Sequence, residues 1–298
     1  MSYYVGIDIG GTYVKYGVID NLGKLVESGK IPTRYESEAL LTDLKKITKT
    51  YQQTYSIIGV GVSTPGIIND EGYMQTAGAI KGFIGIQLAD LLSTELGLPV
   101  HVESDGKAAA AAEKWIGNAK HEANFVCLTL GTAVGGAIYI NHQLYRGLGG
   151  LAGEFGLSLV GRSKSYKEEA AARYSGVVAG LCRNYSIKVQ ERVLEAEEIF
   201  RRRDNGDKIA ADCIAEFYHD VALLVVNVAV TVAPDVILIG GGISANEAVI
   251  EAIQSAYQEI CQSYSTLGLI QMPRLLPCSL HNHAGMIGAV YLLKQAHS

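Results

Sequence analysis

Charge is scarce in this 298-residue chain: Asp, Glu, Lys and Arg make up 18%, against 48% hydrophobic residues. That balance excludes a disordered chain, which combines high charge with little to bury. A formal net charge of −5 leaves no basic footprint, so no nucleic acid partner is expected. The five cysteines, at 127, 182, 213, 261 and 278, include no CxxC or other close pair. Such spacing excludes a disulfide frame and a metal knuckle, and fits free thiols in a reducing cytoplasm. The seven histidines show no ligand spacing beyond His281-Asn282-His283, so no structural metal is expected. No basic segment leads into an apolar one at the start, which argues against a signal peptide. The longest apolar run, Val221–Ala233, carries Asn227 and Thr231 and stops at Pro234. It falls short of the roughly 20 residues that span a bilayer. The expectation is a buried core helix in a soluble cytoplasmic protein with no membrane partner.

The length suits two modest lobes. Three period-2 runs open the chain, Tyr3–Ile9, Tyr13–Ile19 and Leu25–Ile31, separated by Gly10-Gly11-Thr12 and by Asp20-Asn21-Leu22-Gly23. They predict an antiparallel meander. An amphipathic helix follows over 37–55, then a strand over 57–63, a helix over 88–96, a short strand over 100–102 and an alanine-rich helix after Ser104-Asp105-Gly106. The opening then returns, with a strand over 125–130, a Gly131-Thr132-Ala133 turn and a strand over 135–140. This weak internal repeat points to two lobes of related topology, each starting on a hairpin. Helical segments are expected over 166–184, 191–202 and 207–233, and a buried strand over 236–239 running into Gly240-Gly241-Gly242. A helix over 284–295 closes the chain. The expected division is an N-terminal lobe over 1–116 and a larger one over 117–283, with 284–298 packing back on the first.

Asp8-Ile9-Gly10-Gly11-Thr12 is not a dinucleotide fingerprint, because a strand and not a helix follows the glycines. No GK[ST] appears, which excludes a Walker A loop. A Gly-Gly-Thr hairpin still offers backbone N–H groups and a hydroxyl to phosphate oxygens, since glycine permits close approach and positive φ. Lys15 would add a cation. One such turn is as readily a plain hairpin. Two of them, with Gly240-Gly241-Gly242 where an open α/β sheet ends a strand, are better explained as a nucleotide clamp.

Asp105 stands at a strand–helix junction, where it fits a helix N-cap. The same position suits a base that takes the proton of an attacking hydroxyl. Glu154, within Gly149-Gly150-Leu151-Ala152-Gly153-Glu154-Phe155-Gly156, reads either as a solvated loop glutamate or as a ligand for a small polar molecule. Glu168 and Glu169 read as exposed helix residues, and Arg201-Arg202-Arg203 as a solvated charge run.

With these residues in hand the chain resembles the ROK family of bacterial sugar kinases, nearly end to end. The resemblance is carried by Asp8-Ile9-Gly10-Gly11-Thr12, Ser63-Thr64-Pro65-Gly66, Glu103-Ser104-Asp105-Gly106, Leu130-Gly131-Thr132, Gly153-Glu154-Phe155-Gly156 and Pro234 through Gly242. It implies an α/β actin-like ATPase (ribonuclease H-like) fold of two lobes with an interdomain cleft, MgATP as donor and a homodimer or higher homo-oligomer. It implies that Gly10, Gly11, Thr12, Gly131 and Thr132 hold ATP phosphates and that Gly240, Gly241 and Gly242 line the adenosine side. Asp8 would help organise Mg²⁺. Asp105 matches the catalytic base, Glu154 a sugar-hydroxyl ligand, Glu168 the acid after the family's zinc loop, and Gly66 the acceptor side.

Three departures stand out. Ser158–Lys167 is short and has no cysteine where the family carries a zinc motif, so no zinc is expected. Leu157 replaces a histidine that touches both zinc and sugar, and Ser104 replaces an asparagine before the catalytic aspartate. Losing those hydrogen bonds disfavours free glucose, and an apolar Leu157 suits a glycosidic substituent. Ala77–Phe83, Trp115-Ile116-Gly117 onward and Gly153–Gly156 also look like β-glucoside kinases. The implied reaction is phosphorylation of the 6-hydroxyl of a glucose unit in a β-glucoside such as cellobiose or gentiobiose. The alternative is a glucokinase or another monosaccharide kinase (fructose, N-acetylmannosamine, allose). A repressor of the same family would need a helix-turn-helix before residue 10, and a filament-forming actin-like protein would not need Asp105 and Glu154.

Overall fold

The computed structural model describes residues 2–69, 71–161 and 166–297. The chain forms two compact units: Met1–His121 with Gln143–Ala152 and Asn282–Ser298, and Glu122–His142 with Gly153–His281.

In the first unit β1 (Tyr3–Ile9), β2 (Tyr13–Asp20) and β3 (Leu25–Pro32) form the expected meander. Alternation drives it, with Val5, Ile7 and Ile9 turned into the core. Next come α1 (Ser37–Gln52), β4 (Ile57–Thr64), α2 (Leu88–Leu96), β5 (Val100–Ser104) and α3 (Asp105–Ile116). The sheet order is β3-β2-β1-β4-β5, with β4 parallel to both β1 and β5. Leu40, Leu44, Ile47 and Tyr51 give α1 the buried stripe its pattern predicts.

The sequence then repeats this plan. β6 (Phe125–Leu130), β7 (Val134–Ile140) and β8 (Gln143–Tyr145) precede α4 (Ala172–Ser175), α5 (Arg183–Val189), α6 (Ala196–Asp204) and α7 (Lys208–Val232). β9 (Val236–Gly240), α8 (Glu247–Ser263), β10 (Arg274–Pro277) and α9 (Ala284–Ala296) complete it. The second sheet runs β10-β9-β6-β7-β8, the same order as the first when the strands are matched in sequence. Its β6–β7 pair is antiparallel and β9 is parallel to β6 and β10. The internal repeat is therefore topological. α9 packs on α3, β4 and β1 within the first unit.

Several expectations need correction. The single helix over 166–184 is instead a turn at 166–169, the short α4, a π-helical stretch Val177–Cys182 and α5. Gly176 and Gly180 sit too close to the Ala172 and Tyr174 carbonyls for a side chain. Strands β8 and β10 and helix α8 were not anticipated, although Asn246 caps α8 and Val249, Ile250, Ile253 and Tyr257 line its buried face. The apolar run Val221–Ala233 forms part of α7, whose 25 residues are long and apolar enough to cross a membrane by length and composition alone. Here α7 packs against α4, α5, α6 and α8, burying Phe217, Val221, Val225 and Val228. The cysteines are less scattered in space than in sequence: buried Cys127 and Cys278 bring their Sγ atoms within 3.6 Å.

Candidate functional site

Asp8 lies near the end of β1, in register with Lys15 on β2 and Ser63 on β4. The Ser63 hydroxyl donates to Asp8 Oδ1 at 2.8 Å, and Lys15 Nζ donates to Asn282 Oδ1 at 3.1 Å. Gly285, in the first turn of α9, lies so close that a Cβ there would stand 2.5 Å from Asp8 Oδ1. Burial pushes the Asp8 carboxyl above its ordinary range, against the opposing pull of the Ser63 hydrogen bond and the Lys15 charge.

The adjoining Gly10–Thr12 turn is tied back on its carbonyl side. Thr33 Oγ1 donates to Gly10 O at 2.7 Å, Tyr35 OH to Gly11 O at 2.7 Å and Thr33 N to Thr12 O at 2.9 Å. The N–H groups of Gly11 and Thr12 have no acceptor among the described residues. A turn with its acceptors occupied and its donors spare is suited to an anion. Gly10, Gly11 and Gly131 do not have positive φ, so the conformational part of the sequence argument fails at all three. Room is the better reason: a Cβ at Gly11 or Gly131 would meet nothing within 4 Å.

In the second unit the Gly131–Thr132 turn is braced in the same way. Val177 N donates to Gly131 O at 2.9 Å and Ala179 N to Thr132 O at 2.8 Å. Gly131, Thr132 and Gly242 line one pocket of about 760 Å³ together with Val178, Phe200 and Asn246, and Glu195 and Glu197 stand at its rim. Gly240 and Gly241 do not line it. Gly240 is the buried end of β9, and Gly241 takes φ +93° with its α-carbon pressed on the Leu130 carbonyl. A hollow of about 860 Å³ beside α7 and Ser158–Gly161 holds none of the candidate residues.

Asp105 is not the N-cap expected from its position: Ser104 is the cap, without a side-chain bond, and Asp105 is the first residue of α3. It is exposed, and its Oδ1 accepts from Gly106 N at 2.7 Å. Ser104 is 2% exposed, with its hydroxyl 3.5 Å from Nζ of the buried Lys107. Gly66 follows β4, its backbone packed on Thr76 and Ala77, and Thr64 Oγ1 is buried without a hydrogen-bond partner among the described residues.

Glu103, His101 and Arg146 carry no role legible from the sequence. Glu103 is 1% exposed. Its Oε1 accepts from Ser104 N at 2.9 Å, and its Oε2 is ion-paired with Arg146 and lies 3.8 Å from His101 Nε2. Burial alone would raise its pKa, but the histidine, the arginine charge and the Ser104 N–H together hold it below the usual glutamate range. Along the chain its signal is no more than a carboxylate in the short strand run before Asp105, since its partner arginine is 43 residues away.

Glu154 is half-buried at the start of the Phe155–Leu157 turn. The glycines around it have structural work: Gly153 (φ +90°) and Gly156 press their backbones on β7, the first with Gly136 O 2.7 Å from where a Cβ would stand. Leu157 is 59% exposed. Glu168 lies in a turn, not a helix, and pairs with Arg183 and, at 3.7 Å, with Arg173. Arg162 to Ser165, within the short cysteine-free loop, lie outside the described residues.

The ROK family profile matches residues 4–296. The chain belongs to the ROK family. A beta-glucoside kinase of Listeria monocytogenes is 32% identical to this ROK protein over 291 residues, covering 95% of each chain. A solved putative N-acetylmannosamine kinase, also from Listeria monocytogenes, superposes with a TM-score of 0.87 at 29% identity, covering 99% of this chain and 100% of its own. A ROK glucokinase from Streptomyces griseus, solved with glucose and AMPPNP, gives 0.84 at 25% identity, covering 98% and 99%. The fold is the mixed α/β actin-like ATPase fold, with one five-stranded sheet in each half of the repeat.

Proposed function

We propose that this ROK protein is a sugar kinase that uses ATP to phosphorylate the 6-hydroxyl of a glucose unit in a β-glucoside such as cellobiose or gentiobiose. The observation that carries the acceptor is the end-to-end likeness to a beta-glucoside kinase, joined to the exposed Leu157. Asp105 acts as the base, taking the hydroxyl proton as the sugar oxygen attacks the γ-phosphorus of ATP and the bond from that phosphorus to the ADP oxygen breaks. Its exposed place at the start of α3 leaves the carboxylate reachable.

The Gly10–Thr12 and Gly131–Thr132 turns, through the N–H groups of Gly11, Thr12 and Thr132 that donate to no acceptor among the described residues, are assigned with Lys15 to the ATP phosphates. Gly242 is assigned to the adenosine side, with Gly240 and Gly241 shaping the turn that presents it. Glu195 and Glu197 supply acceptors suited to ribose hydroxyls or an exocyclic amine. Gly66, Ser104, Glu154, Leu157 and Glu168 are assigned to the acceptor. Mg²⁺ fits at Asp8, whose buried carboxylate gains from an added cation what Lys15 and Ser63 supply only in part. The ion neutralises phosphate charge when bound. Two chains are proposed to associate as a homodimer.

The second reading is a monosaccharide kinase, favoured by the likeness to a glucokinase and a putative N-acetylmannosamine kinase. An ADP-release assay against glucose, fructose, N-acetylmannosamine, allose, cellobiose and gentiobiose separates the two. Turnover on the disaccharides well above glucose is the expected result, and a monosaccharide preference would sink the β-glucoside assignment. Leu157→His should shift the ratio of cellobiose to glucose kcat/KM toward glucose by about 10-fold, the scale of one gained polar contact and one lost apolar one. An unchanged ratio would remove Leu157 from the argument.

A further inference from the structure

We infer that Arg146 and Glu103 are a pair of positioning residues. They pin the segment Gln143–Ala152 to the strand end that carries Asp105, and so set the affinity for the sugar acceptor. The inference rests on the assignment of Asp105 and Glu154 above.

Glu103 is buried near the end of β5, two residues before Asp105, and each of its oxygens has a separate task. Oε1 holds the Ser104 N–H, while Oε2 receives the Arg146 guanidinium. One carboxylate therefore fixes the backbone beside Asp105 and the residue that opens the glycine-rich stretch after β8. The first three residues of Gln143–Ala152 are β8, held in the second sheet, but the stretch after Arg146 has little stiffness of its own. Between Arg146 and Glu154 the chain reads Gly147-Leu148-Gly149-Gly150-Leu151-Ala152-Gly153, with all four glycines at positive φ. Glycine loses more backbone freedom on ordering than any other residue, so such a stretch stays placed only if it is tethered. Among the described residues of the first unit its tethers are the Arg146 pair, the bond from Gln75 Nε2 to Gly149 O at 2.8 Å, and Gly150 packed on the Ile68 carbonyl. Only the first is ionic. Glu154 follows two residues after the segment ends at Ala152. A partly exposed arginine bound to a fully buried carboxylate is also an asymmetric pair: removing the arginine strands a buried charge, whereas removing both does not.

The test compares Arg146→Met, Arg146→Lys, Glu103→Gln and the Arg146→Met/Glu103→Gln double variant. Steady-state constants for ATP and for the sugar that the wild type turns over fastest are measured well below each melting temperature. Arg146→Met is expected to raise the acceptor KM or lower acceptor kcat/KM by about 10- to 100-fold, the cost of an ångström-scale misplacement. Its ATP KM should stay within about twofold. Arg146→Lys should recover most of the loss. The double variant should melt higher than Arg146→Met and be no worse in acceptor kcat/KM. If Arg146→Met does not fold, the double variant takes its place.

Acceptor constants within about twofold of wild type in both Arg146→Met and Glu103→Gln, with only the melting temperature lowered, would overturn the inference. So would a parallel loss in the acceptor and ATP constants. A wrong choice of sugar does not enter, because the acceptor is chosen by the wild type. If the wild type turned over no sugar, the kinase reading would fall by itself. Sugar affinity by calorimetry would then carry the same comparison.

Discussion

Asp105→Asn is expected to lower kcat for the accepted sugar by about 10²- to 10⁴-fold, the range supplied by a positioned general base. The variant keeps the volume of the side chain and an oxygen to accept the Gly106 N–H, which Asp105 Oδ1 now receives at 2.7 Å. The start of α3 should therefore be intact, with the melting temperature and both KM values close to wild type. A loss confined to kcat is the signature of a group needed in the transition state and not for binding. Retention of more than about a tenth of wild-type kcat would remove Asp105 as the base. A large loss accompanied by a lowered melting temperature would mean that α3 itself had been disturbed.

The second large effect is at Asp8, where stability and activity should move in opposite directions. Burial raises its pKa despite Ser63 and Lys15, so the folded protein holds the ionised carboxylate less well than the unfolded chain does. The contribution of the group to stability is then full below the ordinary aspartate value of about 3.9 and is lost as pH rises through the raised folded value. Asp8→Asn carries no such loss. Melting curves without nucleotide or Mg²⁺ should show the variant gaining on wild type as pH rises from about 4, then levelling off. The gain should be absent at the acid end. Activity should fall by about 10²-fold or more if the carboxylate organises the metal, and MgADP should stabilise the wild type far more than the variant. A wild type that melts higher at neutral pH without ligand would show that Ser63 and Lys15 already compensate the charge.

Much of the fold was legible because local periodicity and tertiary burial agree. Tyr3–Ile9 and Tyr13–Asp20 alternate as strands that bury one face against α9 and the other inward, and α1 carries its stripe at helical spacing. The returning strand–Gly-Thr–strand pattern revealed the repeat, although β8 and β10 are too short, at three and four residues, to announce themselves. Reading 166–184 as one helix went astray because apolar spacing does not register backbone crowding at Gly176 and Gly180. The N-cap expected at Asp105 missed by one residue, the usual uncertainty of a helix end.

The sequence by itself determined the family, the repeated strand plan and the residues most suited to chemistry, because glycine turns and carboxylates at strand ends keep a fixed local order. Only the tertiary structure decided which backbone groups those turns leave spare. Thr33, Tyr35, Val177 and Ala179 reach the turn carbonyls from outside, and the N–H groups of Gly11, Thr12 and Thr132 have no acceptor among the described residues. It also decided that Glu103 needs Arg146, and that Cys127 meets Cys278, across 43 and 151 residues. Pairings of that kind depend on where the chain returns in space. Their energies come from burial and short-range contact, which spacing along the chain does not encode.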